Sequence, residues 1–303
     1  MKKSNIELKG VLPVIQTPFH LDWTIDAVTL RREIDWLFAE GVDGIVIGMV
    51  SEVLRLTEGE RDELTRLCVQ AAAGRGPVVA SVGAEGAVQA VRHARAASSA
   101  GADALMATPP SLTRCDAGEL LDYYRAILKA TDLPIIVQDA SGYVGNSISI
   151  DTQAALLALA PERVLFKPEA QPIGINVSAL LAATADKALI FEGTAGLALM
   201  DSHPRGIVGT MPGADVPWAI VAIWRALEAG DASRAGDIHA RLAALVNLMY
   251  CLDAFLAIEK LLLVEQGIFP NALVRGPVGY RMDELTRREV LRLFGALREV
   301  CGR

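Results

Sequence analysis

Seven lysines stand in the 303-residue sequence: Lys2, Lys3, Lys9, Lys129, Lys167, Lys187 and Lys260. Three fall in an N-terminal arm, Lys129 at a helix C-terminus, Lys187 in a connection and Lys260 within a C-terminal helix. All six positions have ordinary solvated readings. Lys167 ends the apolar run Val164-Leu165-Phe166, so its side chain is expected to enter a mostly apolar interior. Burial penalises the ammonium and favours the neutral amine, the form that attacks a carbonyl to give a Schiff base. The competing account is a strand-end lysine that snorkels to water. Metal chemistry finds no comparable support. Cys68, Cys115, Cys251 and Cys301 form no Cys-x-x-Cys pair, and His20, His93, His203 and His239 are isolated. Neither a zinc knuckle, a dithiol site nor a pair of histidine ligands is indicated.

A lysine at a strand end needs a fold that gathers strand ends. Short apolar runs alternate with amphipathic stretches, the pattern of βα units rather than hairpins. Strands are expected at 11–17, 44–48, 78–82, 104–108, 135–138, 164–167, 188–192 and 207–211. Their runs are continuous rather than alternating, which marks a parallel sheet covered by helices. Gly41 reads as a left-handed helix stop, and Thr57 with Glu60 and Asp116 with Glu119 have capping-box spacing. Ala39-Glu40-Gly41-Val42-Asp43-Gly44 is echoed by Ser99-Ala100-Gly101-Ala102-Asp103-Ala104, about two βα units later. Residues 1–230 are therefore read as a (β/α)8 TIM barrel, an α/β fold whose active sites lie at the C-terminal strand ends. Residues 231–303 are read as a C-terminal appendage of three helices, near 231–250, 252–266 and 283–300. A doubly wound nucleotide-binding sheet is disfavoured, because Thr17-Pro18-Phe19 stands where its Gly-x-Gly-x-x-Gly would be.

Composition narrows the chemistry further. With 52% hydrophobic and 21% charged residues the chain can bury a full core. Its net charge of −7, without a basic run longer than a pair, gives no electrostatic footprint for nucleic acid. The longest apolar stretch, Val216 to Trp224, is too short to span a membrane, and no apolar segment follows the first lysines. A cytoplasmic protein acting on a small molecule is expected.

Five segments then carry a resemblance. They are Pro13-Val14-Ile15-Gln16-Thr17-Pro18-Phe19, Gly48-Met49-Val50-Ser51-Glu52, Leu133-Pro134-Ile135-Ile136-Val137, Phe166-Lys167-Pro168-Glu169 and Gly206-Ile207-Val208-Gly209-Thr210. In this order at strand ends, they are similar to the dihydrodipicolinate synthase and N-acetylneuraminate lyase superfamily, class I enzymes that form a Schiff base with pyruvate or another 2-oxo acid. The resemblance implies that Lys167 forms the Schiff base without a cofactor, and that the loop of Val50, Ser51 and Glu52 holds the substrate carboxylate. It also implies a homotetramer or homodimer.

Departures from the family pattern shape the expected reaction. Both loop threonines are missing, with Ser51 the nearest substitute. Gln138, followed by Asp139, stands where the synthase has a relay tyrosine, Ser111 where it has a second, and Tyr143 where it has an arginine. A glutamine cannot shuttle protons at neutral pH. The pattern Val137-Gln138-Asp139-Ala140 with Lys167-x-Glu169 and Glu192-Gly193 instead resembles L-2-keto-3-deoxyarabonate dehydratase and related sugar-acid enzymes. That resemblance implies dehydration or aldol cleavage of a 2-keto-3-deoxy sugar acid; a divergent synthase and a non-catalytic 2-oxo-acid-binding barrel are the alternatives.

The expected site comprises Lys167, Gln138 and Ser111 as catalytic residues, with Val50, Ser51, Glu52, Asp139, Glu169, Glu192, Gly193 and Val208 around the substrate. Several have a second account. Glu192 can simply hydrogen-bond nearby backbone, Glu52 can pin its loop, and Ser111, Tyr143 and Asn146 can serve turns. Glu169 shares a face with Lys167 only if the strand continues past Pro168.

Overall fold

The apolar runs pair in parallel and close on themselves. The computed structural model describes residues 7–303, so Lys2 and Lys3 lie outside the described residues. Its strands are β1 (Gly10–Val11), β2 (Ile45–Val46), β3 (Val78–Ser81), β4 (Ala104–Ala107), β5 (Ile135–Asp139), β6 (Val164–Pro168), β7 (Phe191–Glu192) and β8 (Gly209–Thr210). One ladder runs from β2 to β6 in sequence order, and a second joins β1, β8 and β7. Single bridges from Val14 to Val46 and from Phe166 to Ile190 connect them, so a ring of parallel strands forms without an open edge. Several strands are shorter than their apolar runs. At the first, Pro13 has no N–H to give a ladder, and pairing resumes only at Val14.

Side-chain alternation sorts each strand into two faces. Leu12, Val14, Ile136, Leu165, Phe191 and Met211 fill the barrel interior. Val11, Ile15, Val137, Phe166 and Ile190 point outward beneath the helices. Those helices are α1 (Ala27–Ala39), α2 (Glu58–Ala72), α3 (Ala87–Ala100), α4 (Ala117–Ala130), α5 (Ile150–Leu159), α6 (Ile173–Ala183), the single turn α7 (Leu199–Ser202) and α8 (Pro217–Glu228). Their starts follow local chemistry. Thr57 and Glu60 bond each other's backbone at α2, while Asp116 caps α4 by accepting from the Glu119 N–H; such caps are worth about 1 kcal/mol each. Gly41 takes a φ of 88° just after α1, a conformation glycine adopts without strain.

The last helices are α9 (Ala232–Val246), α10 (Leu252–Glu265) and α11 (Glu284–Val300). Helix α10 is apolar on nearly every side, and such a helix must be buried all round. Leu252, Phe255 and Glu259, at helical spacing on one face, turn to the C-terminal mouth of the barrel. No described helix is long and apolar enough to cross a membrane.

Candidate active site

Strand alternation brings three polar side chains into one cavity. On β5, Ile136 faces inward and Val137 outward, so Gln138 faces inward again. Gln138 and Lys167 are register partners on β5 and β6. Pro168 continues β6 on its outward face, which returns Glu169 to the inside. Lys167 Nζ lies 3.0 Å from Glu169 Oε1, and Gln138 Nε2 donates to Glu169 Oε2 at 2.7 Å. All three are at least 96% buried. Burial pushes the Glu169 carboxyl up, against the pull of the Lys167 charge and the Gln138 hydrogen bond. The group is therefore a stronger base than an ordinary carboxylate and is placed to take the lysine's proton.

The cavity holds about 50 Å³. Its apolar walls come from the uppermost interior residues Val14, Met106 and Met211, from Met49 and Val50, and from Leu252 and Phe255 of α10. Apolar walls with a few convergent polar groups are usual for a small-molecule site. Tyr143 also lines it, edge-on to Phe255 with ring centroids 5.7 Å apart. Gly193 is needed for the lysine to lie where it does. A Cβ there would come within 2.8 Å of both Lys167 Cε and Glu169 Cγ.

Of the residues expected from the sequence, Lys167, Gln138, Glu169, Gly193 and Val50 line this cavity. The others do not. Ser111 bonds Glu85 through its backbone N–H and its hydroxyl, which turns it to the α3 side rather than the cavity. The Ser51 hydroxyl is taken by the Ile15 carbonyl and the Gly48 N–H, and Glu52 is paired with Lys260 and the Arg275 N–H, so both fasten the loop. Asp139 and Glu192 have the wrong parity. Each follows an inward residue, Gln138 or Phe191, and therefore points outward. Asp139 accepts from Ser141 and Ile148, and Glu192 from Thr194, Gly196 and Thr210. Val208 precedes β8, so it sits at the opposite, N-terminal mouth with Gly10 and Val11. Asn146 is exposed outside the cavity.

Two residues of α10 were not singled out by sequence. Glu259 lines the cavity, and Lys260, expected at the surface, is fully buried. Lys260 Nζ donates to the Thr17 and Leu273 carbonyls at 2.8 and 2.6 Å and pairs with Glu52. It packs 4.7 Å from the Phe19 ring centroid. The available signal was an adjacent Glu-Lys pair inside a helix without a polar face. Of the described lysines only Lys167 lines the cavity, so the elimination survives for a different reason.

Near this pair, burial pushes the Glu33 carboxyl from 4.5 up to about 8, against the Gln16 N–H it accepts and the charge of Lys260. Below about pH 4.5 both folded and unfolded chains hold that proton, and stability is at its full value. As pH rises from there through about 8, the unfolded chain ionises first, so stability falls, then levels off. Glu33→Gln should reduce this loss, read as a smaller difference between urea midpoints measured at about pH 5 and about pH 9. An unchanged difference would remove Glu33 as its source.

Comparison with known proteins agrees with this architecture. The dihydrodipicolinate synthetase family model matches residues 7–294. The 4-hydroxy-tetrahydrodipicolinate synthase of Azoarcus sp. (strain BH72) is 32% identical over 270 residues, covering 86% of this chain and 91% of the relative. The synthase structure from Methylacidiphilum fumariolicum SolV superposes with a TM-score of 0.89 at 23% identity, covering 98% of each chain. Dihydrodipicolinate synthase from Rhodopseudomonas palustris gives 0.88 at 25% identity, covering 95% of this chain and 97% of that one. Identity above 30% over nearly the whole length, with the same barrel and appended helices, places this chain in the dihydrodipicolinate synthetase family of lyases.

Proposed function

We propose that Lys167 condenses with the ketone of a pyruvate-type 2-oxo acid and uses the imine as its electron sink, with no metal or other cofactor. The observation that carries this reading is the buried Lys167–Glu169–Gln138 set on one face of a small cavity. Glu169 takes the ammonium proton, and the neutral amine attacks C2. Glu169 returns that proton to the carbinolamine hydroxyl, which leaves as water to give the iminium. Again a carboxylate, Glu169 is the nearest base to take the C3 proton, and the enamine results. Gln138 holds the Glu169 carboxyl toward the lysine. The loop at Met49 and Val50 has no side-chain hydroxyl in the cavity, so a substrate carboxylate there would rely on backbone N–H groups.

What the enamine does next has two readings. The relatives' names favour addition to an aldehyde, the reaction of a 4-hydroxy-tetrahydrodipicolinate synthase, over the sugar-acid dehydration expected from motif resemblance. The resemblance favours dehydration: by it, Gln138, which the cavity holds beside Glu169, stands where the synthase has a relay tyrosine. A cytoplasmic homotetramer or homodimer completes the proposal.

Borohydride reduction with pyruvate should attach a mass tag at Lys167; an untagged protein would end the Schiff-base reading. Consumption of pyruvate with L-aspartate 4-semialdehyde would establish the synthase. Turnover of L-2-keto-3-deoxyarabonate instead would establish the dehydratase. Tagging with no turnover of either leaves a barrel that only binds 2-oxo acids.

A further inference from the structure

The Schiff-base half of the site uses Lys167, Glu169 and Gln138, yet a second carboxyl enters the same cavity from outside the barrel. Glu259 reaches it over Gly213, close enough that a Cβ on Gly213 would lie 2.0 Å from Glu259 Oε1. Only glycine leaves room for that approach. The same Cβ would be 3.1 Å from Asp215 Oδ1, so two carboxyls converge at this point of the wall. Glu259 is 1% exposed and accepts from Gln16 Nε2.

Its surroundings contain more acid than cation. Asp215 from the segment before α8 and Glu33 from α1 are buried with it, Tyr143 faces it from the β5–α5 connection, and Lys167 with Glu169 share the cavity. The nearby Lys260 is already committed to Glu52 and two carbonyls. Asp215 Oδ2, Glu33 Oε2 and Gln16 Oε1 are buried without a hydrogen-bond partner among the described residues. Burial and the Asp215 charge push the Glu259 carboxyl well up, and burial pushes Asp215 up to about 6. Of the two, Glu259 is pushed up the further, which makes it the member of the pair that more readily holds a proton and can give it away.

We propose that Glu259 is a further catalytic residue, the acid that protonates the substrate oxygen on the carbon reacting with the enamine. The inference rests on the Schiff-base reading, but holds for either reaction that follows it. In addition, the enamine electron pair forms the new C–C bond, the carbonyl π pair moves to oxygen, and that oxygen takes the Glu259 proton. In dehydration, the same electron pair forms a C3–C4 double bond as the C4–O bond breaks, and the departing hydroxyl leaves as water with the Glu259 proton. One proton leaves C3 for the Glu169 carboxylate and one leaves Glu259 for oxygen, so the protons balance. The two carboxyls reset by exchange with water. The site thereby selects a partner that presents a neutral hydroxyl or carbonyl oxygen toward α10.

Glu259→Gln keeps the side chain's size and removes the transferable proton. Pyruvate alone in D2O tests the first half, because exchange of its methyl protons, followed by NMR, reports the enamine without a second reactant. Turnover is then measured with pyruvate plus L-aspartate 4-semialdehyde, pyruvate plus glycolaldehyde, and L-2-keto-3-deoxyarabonate. Exchange within about twofold of wild type, kcat lower by at least about 100-fold, and loss of the alkaline limb of the kcat profile are expected. Turnover within about threefold of wild type overturns the proposal. So does a parallel loss of exchange and turnover, which marks a structural role, or wild-type exchange with no turnover of any substrate. If the wild type neither exchanges nor is tagged at Lys167, it is the Schiff-base reading that has failed.

Discussion

Lys167→Ala is expected to abolish borohydride trapping of pyruvate and to lower turnover by at least about a thousandfold, the scale on which loss of a covalent nucleophile is felt. Its effect on folding should be far smaller. The substitution leaves Glu169 without its cation, but burial already pushes that carboxyl up, so it can hold a proton and remain bonded to Gln138. A nearly unchanged denaturation midpoint beside lost trapping would separate chemistry from structure. Residual trapping at another lysine would sink the assignment, since none other among the described lysines reaches the cavity.

Lys260→Met should show the opposite balance, with a large loss of stability. The substitution leaves Glu52 buried without its cation, and it also strips a donor from the Thr17 and Leu273 carbonyls. Breaking one side of a buried pair typically costs about 3–5 kcal/mol. Glu52 holds a φ of 60° at the end of the Met49–Ser51 turn, so the loop that bears Val50 should shift as well. Urea denaturation reads the stability loss. A change below about 1 kcal/mol would mean that water or the Arg275 N–H satisfies Glu52 unaided.

Local pattern carried the barrel and Lys167 because both follow from short-range rules. Four-to-seven-residue apolar runs dictated parallel strands, and period two carried Gln138, Lys167 and Glu169 to one face. The same rule, applied to neighbouring residues, would have turned Asp139 away once Gln138 was inward. It would also have separated Glu192 from Gly193. Ser111 was not legible because its partner, Glu85, lies in the preceding βα connection. Glu259 was hidden for a similar reason: its place depends on how α10 meets Gly213 and Gln16 across more than forty residues of sequence. Val208 was misassigned because the segment Gly206 to Thr210 was taken as a whole for the site, although Val208 stands before the strand and only the residues after Thr210 reach the C-terminal mouth.

Helix α10 closes one wall of the cavity with Glu259, while the residue beside it, Lys260, anchors the loop that ends at Glu52. The barrel therefore cannot be cut free after residue 230 and remain the same object. A shortened chain would lose Leu252, Phe255 and Glu259 from the pocket and the counter-ion of Glu52 at one stroke. Insertions that lengthen the connection between α9 and α10 would loosen the same assembly. Evolutionary or engineered change in the appended helices thus acts directly on the shape and lining of the cavity, although every strand-borne group stays in place.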